Sequence, residues 1–177
     1  MLKDNYTKYK TDKFSTHSYL GIYSQLFDPR KDSVKNVLEI GVQNGGSLVL
    51  WSDLFPDAHI YGADIKPLPD TFVLTDRMTH ILGNAYDVSF MNTHFNNMKF
   101  DVLVDDGPHT LESMLFFAKH YSGLLAPGGA LAIEDVASPT WIPKIIMAFP
   151  KEYQSKVKYI DRKSQRAQDD IIIYMEL

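Results

Sequence analysis

Two carboxylates and an imidazole close the stretch Phe100–His109, FDVLVDDGPH: Asp105, Asp106 and His109. A second acidic pair, Glu134 and Asp135, closes the apolar run Ala130–Ile133 one strand–helix–strand crossover later. Such a crossover sets the carboxyl ends of two parallel strands side by side, so all four acids can share one site. Clustered carboxylates suit a hard divalent cation with oxygen ligands, and in a chain without cysteine magnesium or manganese is favoured over zinc. His109, just past Asp106, could take a proton from a group that such an ion activates. Side chains alternate along a strand, so Asp105 and Asp106 cannot both point the same way, and spacing alone leaves open which holds the ion.

A second constellation lies upstream. Asn36–Ile40 (NVLEI) is a short buried strand, followed by GVQNGGS and the apolar-periodic run Leu48–Phe55. Strand, glycine-rich turn and helix form a nucleotide-binding β-α unit, in which glycines 41, 45 and 46 bring a ligand close to the helix amides. The pattern is E-x-G-x-x-x-G rather than the G-x-G-x-x-G of dinucleotide sites, and there is no Lys-Ser/Thr pair of a phosphate-binding loop. Asp64 ends the next strand, His59–Asp64, where a carboxylate can accept hydrogen bonds from two ribose hydroxyls. After a third strand, Thr79–Leu82, Asn84 and Ala85 stand where an amide could meet an adenine edge or simply make a turn.

These groups need a scaffold. The chain has 177 residues, 45% hydrophobic and 23% charged, with a net charge of −4. One domain accommodates that length, and the acidic balance argues against a nucleic-acid binder, for which a basic patch is expected. No segment has the length and apolarity of a membrane span, and the start has no signal-peptide core, so no membrane association and a cytoplasmic location are expected. Apolar spacing predicts helices over His17–Phe27, Leu48–Phe55, Asp87–Phe95, Leu111–Tyr121 and Pro139–Phe149, with a tight turn at Leu125–Gly129. Late strands at Val157–Ile160 and Ile171–Tyr174 flank the polar segment Asp161–Asp170, a lid or an exposed hairpin bearing Arg162, Lys163 and Arg166. The order fits an α/β, Rossmann-like three-layer sandwich around a seven-stranded, mostly parallel sheet with an antiparallel edge strand. The aromatic face of His17–Phe27 reads as packing, whereas Lys13 and His17, near the helix start, are placed to face a ligand. Histidines 59, 80, 94 and 120 read as structural. Tyr6, Tyr9, Trp141 and Arg162 could line an acceptor pocket or pack on the surface.

The motifs LEIGVQNGG, GADI, FDVLVDD and LLAPGGALAIED resemble the class I S-adenosylmethionine (SAM)-dependent methyltransferases over residues 36–177. More narrowly, VDDGPH, PGGALAIEDV and KTDKFSTHSY together resemble the metal-dependent sugar O-methyltransferases that modify macrolide antibiotics, although this chain is much shorter than those enzymes. The resemblance implies a single methyltransferase domain, with an N-terminal cap over residues 1–30 and the core over 36–177. It implies Asp106, Glu134 and Asp135 as ligands of Mg2+ or Mn2+, and His109, working with Asp106, as the general base. The implied SAM contacts are Glu39, Gly41, Asn44, Gly45, Ser47, Asp64, Asn84, Ala85 and Asp105, with Lys13. Asp105 has two candidate roles: contact with the sulfonium-amine end of SAM, or support of a ligand. Asn84 departs from the family, many of whose members have aspartate there.

The implied chemistry is O-methylation of a sugar hydroxyl, of a deoxyhexose such as rhamnose, free or in a glycan or glycoside. A sugar hydroxyl is a poor nucleophile at neutral pH and a methylsulfonium a good electrophile, so deprotonating and positioning the oxygen is the main task. A dication chelating adjacent hydroxyls does both. Three other readings remain: a catechol-type O-methyltransferase using the same metal logic, a nicotinamide-dependent oxidoreductase, which the glycine spacing disfavours, and a binding module that has lost catalysis. Oligomeric state is left open.

Overall fold

The computed structural model describes residues 9, 11, 13, 19–162 and 171–177. Its frame is a seven-stranded sheet of β1 (Asn36–Ile40), β2 (His59–Asp64), β3 (Met78–Leu82), β4 (Phe100–Asp105), β5 (Leu125–Ile133), β6 (Lys158–Asp161) and β7 (Ile171–Glu176), in the order β3-β2-β1-β4-β5-β7-β6. The first five strands pair in parallel, and β7 pairs antiparallel with both β5 and β6. The antiparallel pairing thus falls at the edge expected for it, with β7 running against the others and β6 outermost.

Helices α1 (Leu20–Phe27) and α2 (Gly46–Leu54) pack on one face of the sheet. On the other lie α3 (Val88–Phe95), α4 (Leu111–His120) and α5 (Ile142–Ala148). Strand alternation makes the layers. Val37, Val102, Val104, Ala130 and Ala132 point into the α1–α2 layer with Tyr23, Phe27 and Trp51, while Leu38, Leu103, Leu131 and Ile133 point into the α3–α5 layer with Phe95, Met114 and Phe117. Because both faces are covered, the central strands are mostly apolar on both sides rather than alternating in polarity, with Glu39, Asp101 and Asp105 as the charged exceptions in β1 and β4.

Three expectations are adjusted. Leu125–Gly129, expected as a tight turn, begins β5, and the β4 register shifts between Phe100 and Val102 where the two strands join. Residues 139–149 divide into a short 3-10 turn at Pro139–Trp141 followed by α5, because Pro143 sits in the first turn of the helix. A one-turn helix, α6 (Lys151–Gln154), was not anticipated. His17, Tyr6, Lys163 and Arg166 lie outside the described residues, as does the start of the helix expected over His17–Phe27.

Register places the site. Ile40 pairs with Asp105, and Asp105 with Ile133, so β1, β4 and β5 end level with one another. Hydrogen bonds carry the alignment one residue further, from Asp106 N to Ile40 O at 2.9 Å and from Glu134 N to Asp105 O at 2.9 Å. The glycine turn, the Asp105–Asp106 pair and the Glu134–Asp135 pair therefore emerge side by side at the carboxyl edge, where open α/β sheets bind ligands.

Candidate active site

A cavity of about 410 Å³ opens at this edge, within the range of small-molecule sites. Of the residues expected to hold a cofactor, Gly41, Asn44, Ser47, Asp64, Asn84 and Ala85 line it, and so do Asp106 and His109. Gly41 takes a positive φ of 84°, and a Cβ there would overlap the backbone carbonyl of Asp106, so only glycine lets the turn lie against β4. Asp64 fastens this turn: Oδ2 accepts from the amides of Val42 and Gln43, each at 2.9 Å, and Oδ1 from the amide of Lys66 at 2.9 Å. Asn84 makes the turn anticipated as one of its two readings, its Oδ1 accepting from Tyr86 N at 3.0 Å, while its residue also faces the cavity.

Glu39, Gly45, Asp105 and Lys13, also expected at the cofactor, do not line this cavity. Gly45 packs under the ring of Phe72. Asp105 points into the α3–α5 layer, where its Oδ1 accepts from the Tyr86 hydroxyl and its buried Oδ2 has no hydrogen-bond partner. Burial, with the charge of Asp106 beside it, pushes the Asp105 carboxyl up to about 7, although the Tyr86 bond opposes that rise. Tyr86 lines the cavity and lies against Gly107. Its position, two residues past the turn-forming Asn84, was the one signal for it in the sequence.

Glu39 faces the α1 side of the sheet, and there it meets Lys13. The Lys13 side chain is 1% exposed, and its ammonium lies 2.5 Å from Asp106 Oδ2, 2.8 and 2.9 Å from the two oxygens of Glu134, and 3.1 Å from Glu39 Oε1. Burial alone would lower its pKa, but the charges of Asp106, Glu134 and Glu39 raise it well above the ordinary value, so it stays protonated. Burial pushes the carboxyls of Glu39 and Glu134 up, and Lys13 offsets part of that rise. Ser47 donates to Glu39 Oε2 and so ties this cluster to the start of α2.

Glu134 and Asp135 are adjacent but separate. Glu134 accepts from Lys13 and from the Tyr23 hydroxyl, whereas Asp135 accepts from the Tyr19 hydroxyl and faces His109 at 3.6 Å. Tyr19, at the N-cap of α1, and Tyr23 within it pack as expected, and their hydroxyls also hold the acids, which the aromatic spacing alone did not reveal. Asp106 stands between two groupings, with Oδ2 on Lys13 and Oδ1 3.1 Å from His109 Nε2. Burial would raise the Asp106 carboxyl, yet Lys13 and His109 hold it below the usual range. His109 moves the other way. Its burial favours the neutral ring, but the Asp106 bond and the charges of Asp135, Asp106 and Asp105 raise its pKa.

The ligand atoms of Asp106, His109 and Asp135 lie within 4.8 Å of one another, as do those of Glu39, Asp106 and Glu134. An oxygen-rich set of that span fits a divalent cation whose metal–oxygen distances are about 2.0–2.6 Å. Among the described residues, the non-glycine residues with positive φ are Gln43, His109 and Asp135, one at the end of each of β1, β4 and β5. Each conformation costs of order 1–3 kcal/mol, and such strain collects at functional sites. Histidines 59, 80, 94 and 120 do not line the cavity. His59 Nε2 lies 2.8 Å from Thr79 Oγ1, and His94 and His120 pack on Phe90 and Phe116. The Tyr9 hydroxyl donates to Asp53 at 3.1 Å, and neither Tyr9, Trp141 nor Arg162 lines the cavity.

A family model described as a methyltransferase domain matches residues 38–136, more than half of the chain. The chain belongs to this methyltransferase domain family. The 8-demethyl-8-alpha-L-rhamnosyl tetracenomycin-C 2'-O-methyltransferase of Streptomyces olivaceus is 26% identical over 163 residues, which cover 88% of this chain and 42% of that protein. The mycinamicin VI 2''-O-methyltransferase of Micromonospora griseorubida is 31% identical over 144 residues, covering 76% of this chain and 36% of the relative. The domain therefore spans less than half the length of these curated relatives. The solved structure of MycE methyltransferase from the mycinamycin biosynthetic pathway, in complex with Mg and SAH, superposes with a TM-score of 0.76 at 24% identity. That match covers 96% of this chain and 52% of MycE and supports the Rossmann-like methyltransferase fold. Among the described residues no helix is long and apolar enough to cross a membrane.

Proposed function

We propose that this domain transfers a methyl group from SAM to a sugar hydroxyl of a glycoside, with a divalent metal, Mg2+ or Mn2+, at the carboxylate end of the cavity. One observation carries the reading: a single cavity is lined both by Asp64 and the Gly41 turn and by Asp106 and His109, with Gly41 packed against the backbone of Asp106. A cofactor seated on the turn would direct its reactive end toward the acid–imidazole cluster. The relatives support the sugar as acceptor class, since they are O-methyltransferases of rhamnosyl tetracenomycin-C and of mycinamicin VI.

In this reading Asp64 accepts from the ribose hydroxyls through lone pairs that the turn amides leave over, and Asn84, Ala85 and Tyr86 border the adenine. Asp106, Glu134 and Asp135 are the carboxylates assigned to the metal. They would hold it together: Asp106 and Asp135 lie beside His109, and Glu134 accepts from Lys13 and the Tyr23 hydroxyl. When bound, SAM supplies an electrophilic methyl carbon and the metal lowers the pKa of the hydroxyl. His109 would accept the proton that the sugar hydroxyl loses on methylation. The carboxylates that raise its pKa make it the stronger base once neutral, and a base so placed contributes ~10²–10⁴ in rate.

Calorimetry of the purified domain with SAM tests the cofactor assignment. Saturable one-to-one binding is expected, and absence of binding to a folded sample would refute the proposal. A catechol-type acceptor shares the metal chemistry, and a panel of catechols against deoxyhexosides separates the two by which is methylated.

A further inference from the structure

One tyrosine on the cofactor side of the cavity also reaches the strand end that carries the acids and the imidazole. Tyr86 stands in the loop after β3, where its amide donates to Asn84 Oδ1 at 3.0 Å and its ring packs edge-on against Phe116 of α4, the centroids 6.1 Å apart. The loop is tied down again by Tyr121, just past α4, whose hydroxyl donates to the Ala85 carbonyl at 2.7 Å. From this anchored base the Tyr86 hydroxyl crosses to the end of β4 and donates to Asp105 Oδ1. Asp105 is buried and its other oxygen has no hydrogen-bond partner, so the tyrosine is what fixes the carboxylate. A hydrogen bond to a charged group is stronger than a neutral one, and removing its donor leaves a buried acceptor unsatisfied.

Gly107 shows that the chain is shaped around this bond. Among the described residues the glycines with positive φ are Gly41, Gly45, Gly83 and Gly128, so the backbone at 107 does not call for glycine. Its surroundings do. A Cβ there would lie 1.9 Å from the Tyr86 hydroxyl oxygen and 2.8 Å from the carbon that bears it, and any side chain would push the hydroxyl off Asp105. The cofactor turn grips the same stretch, since a Cβ on Gly41 would lie 2.0 Å from the Asp106 carbonyl oxygen and 2.8 Å from Gly107 Cα. The backbone from Asp106 to Gly107 is thus held by two loops that line the cofactor cavity. Two residues further on is His109, in a positive-φ conformation that persists only where the surrounding structure enforces it.

We propose that Tyr86 is a positioning residue for His109: its bond to Asp105, made through the gap that Gly107 leaves, braces the segment Asp106–His109 against the cofactor cavity. This rests on the reading of the cavity and of His109 given above and deepens it. A reacting group displaced by about 1 Å can cost ~10²-fold in rate, so the brace acts on turnover and leaves the cofactor contacts in place.

The test compares the native protein, Tyr86→Phe, Gly107→Ala and the double variant. The readouts are SAM affinity by calorimetry, kcat with a rhamnoside and Mg2+, and amide relaxation dispersion by NMR at Asp106, Gly107 and His109 in the ligand-free protein. Tyr86→Phe keeps the ring and removes the hydroxyl. It should bind SAM within about twofold of native, lose roughly ten- to a hundredfold in kcat, and show millisecond exchange at amides that are quiet in the native protein. Gly107→Ala should show the same pattern. The double variant should be little worse than either, because both changes remove one bond, whereas independent structural damage would add. A folded Tyr86→Phe with native kcat and native relaxation overturns the proposal. So does parallel loss of SAM affinity and kcat, or additive loss in the double variant. If Tyr86→Phe does not fold, Gly107→Ala is judged by the same single-variant outcomes. If the native protein binds SAM but methylates no sugar, the acceptor reading fails by itself. Millisecond exchange in Tyr86→Phe at native SAM affinity then still supports the brace, and its absence overturns it.

Discussion

The cavity above β1–β3 and the cluster above β1, β4 and β5 are built from different materials. The first is walled by a glycine turn and by side chains from Ser47 and Ala85 to Lys66 and Tyr86, and its turn is fastened by one carboxylate, Asp64, that accepts from three amides. The second is made of buried charged side chains that balance one another, with Lys13 against three acids and two tyrosines donating to Glu134 and Asp135. A backbone-built site tolerates changes in side chain but not in turn conformation. A charge-built site is the reverse, because removing one member leaves its partners buried and uncompensated. The division matches two tasks, since a nucleoside needs shape and a few hydrogen bonds, whereas deprotonating an alcohol needs a strong local field.

Substitutions that act on one half and spare the other sharpen this contrast. The largest effect expected is that of His109→Ala: turnover should fall by ~10²–10⁴, with SAM affinity close to native in calorimetry. Parallel loss of both would merge the two halves and mark His109 as structural. Gly41→Ala comes next and should damage both halves, because the new Cβ meets the carbonyl of Asp106 as well as straining the turn. A loss of about 1–3 kcal/mol in denaturant titration, together with weaker SAM binding, is expected. Asp64→Asn should have the smallest effect and stay within the cofactor half. About a tenfold loss of SAM affinity, near 1.4 kcal/mol, should leave Mn2+ binding unchanged; an equal effect on Mn2+ would show that the halves are not separable.

The backbone-built half was the more legible in the sequence. Strand, glycine turn and acidic strand end follow one another locally, and Gly41 and Asp64 stand where their spacing placed them. Ile65, Lys66 and Tyr86 also line the cavity, but loop residues carry no periodic signal to mark them. The charge-built half was legible only in its members. The DDGPH and Glu134-Asp135 segments were readable as one site because parallel crossovers bring strand ends together. Which acid faces which partner was not, since Glu134 and Asp135 separate through a positive φ at Asp135 that sequence does not announce. Lys13 was singled out as facing a ligand, and it instead faces acids from three strands, a contact decided by how α1 packs and not by any local pattern. Tyr19 and Tyr23 read correctly as core, yet a buried tyrosine needs a hydrogen-bond partner, and that requirement was the available clue to their bonds with the acids.

Methyl transfer itself is the most direct test of the central claim. The purified domain, SAM and Mg2+ or Mn2+ are incubated with a panel of rhamnosides and related deoxyhexosides, and products are read by mass spectrometry with and without a chelator. The account predicts one added methyl group on a sugar hydroxyl, abolished by chelation and restored by adding the metal back. Methylation that persists undiminished in the chelator, or a folded, SAM-bound, metal-loaded domain that methylates no sugar in the panel, would contradict it.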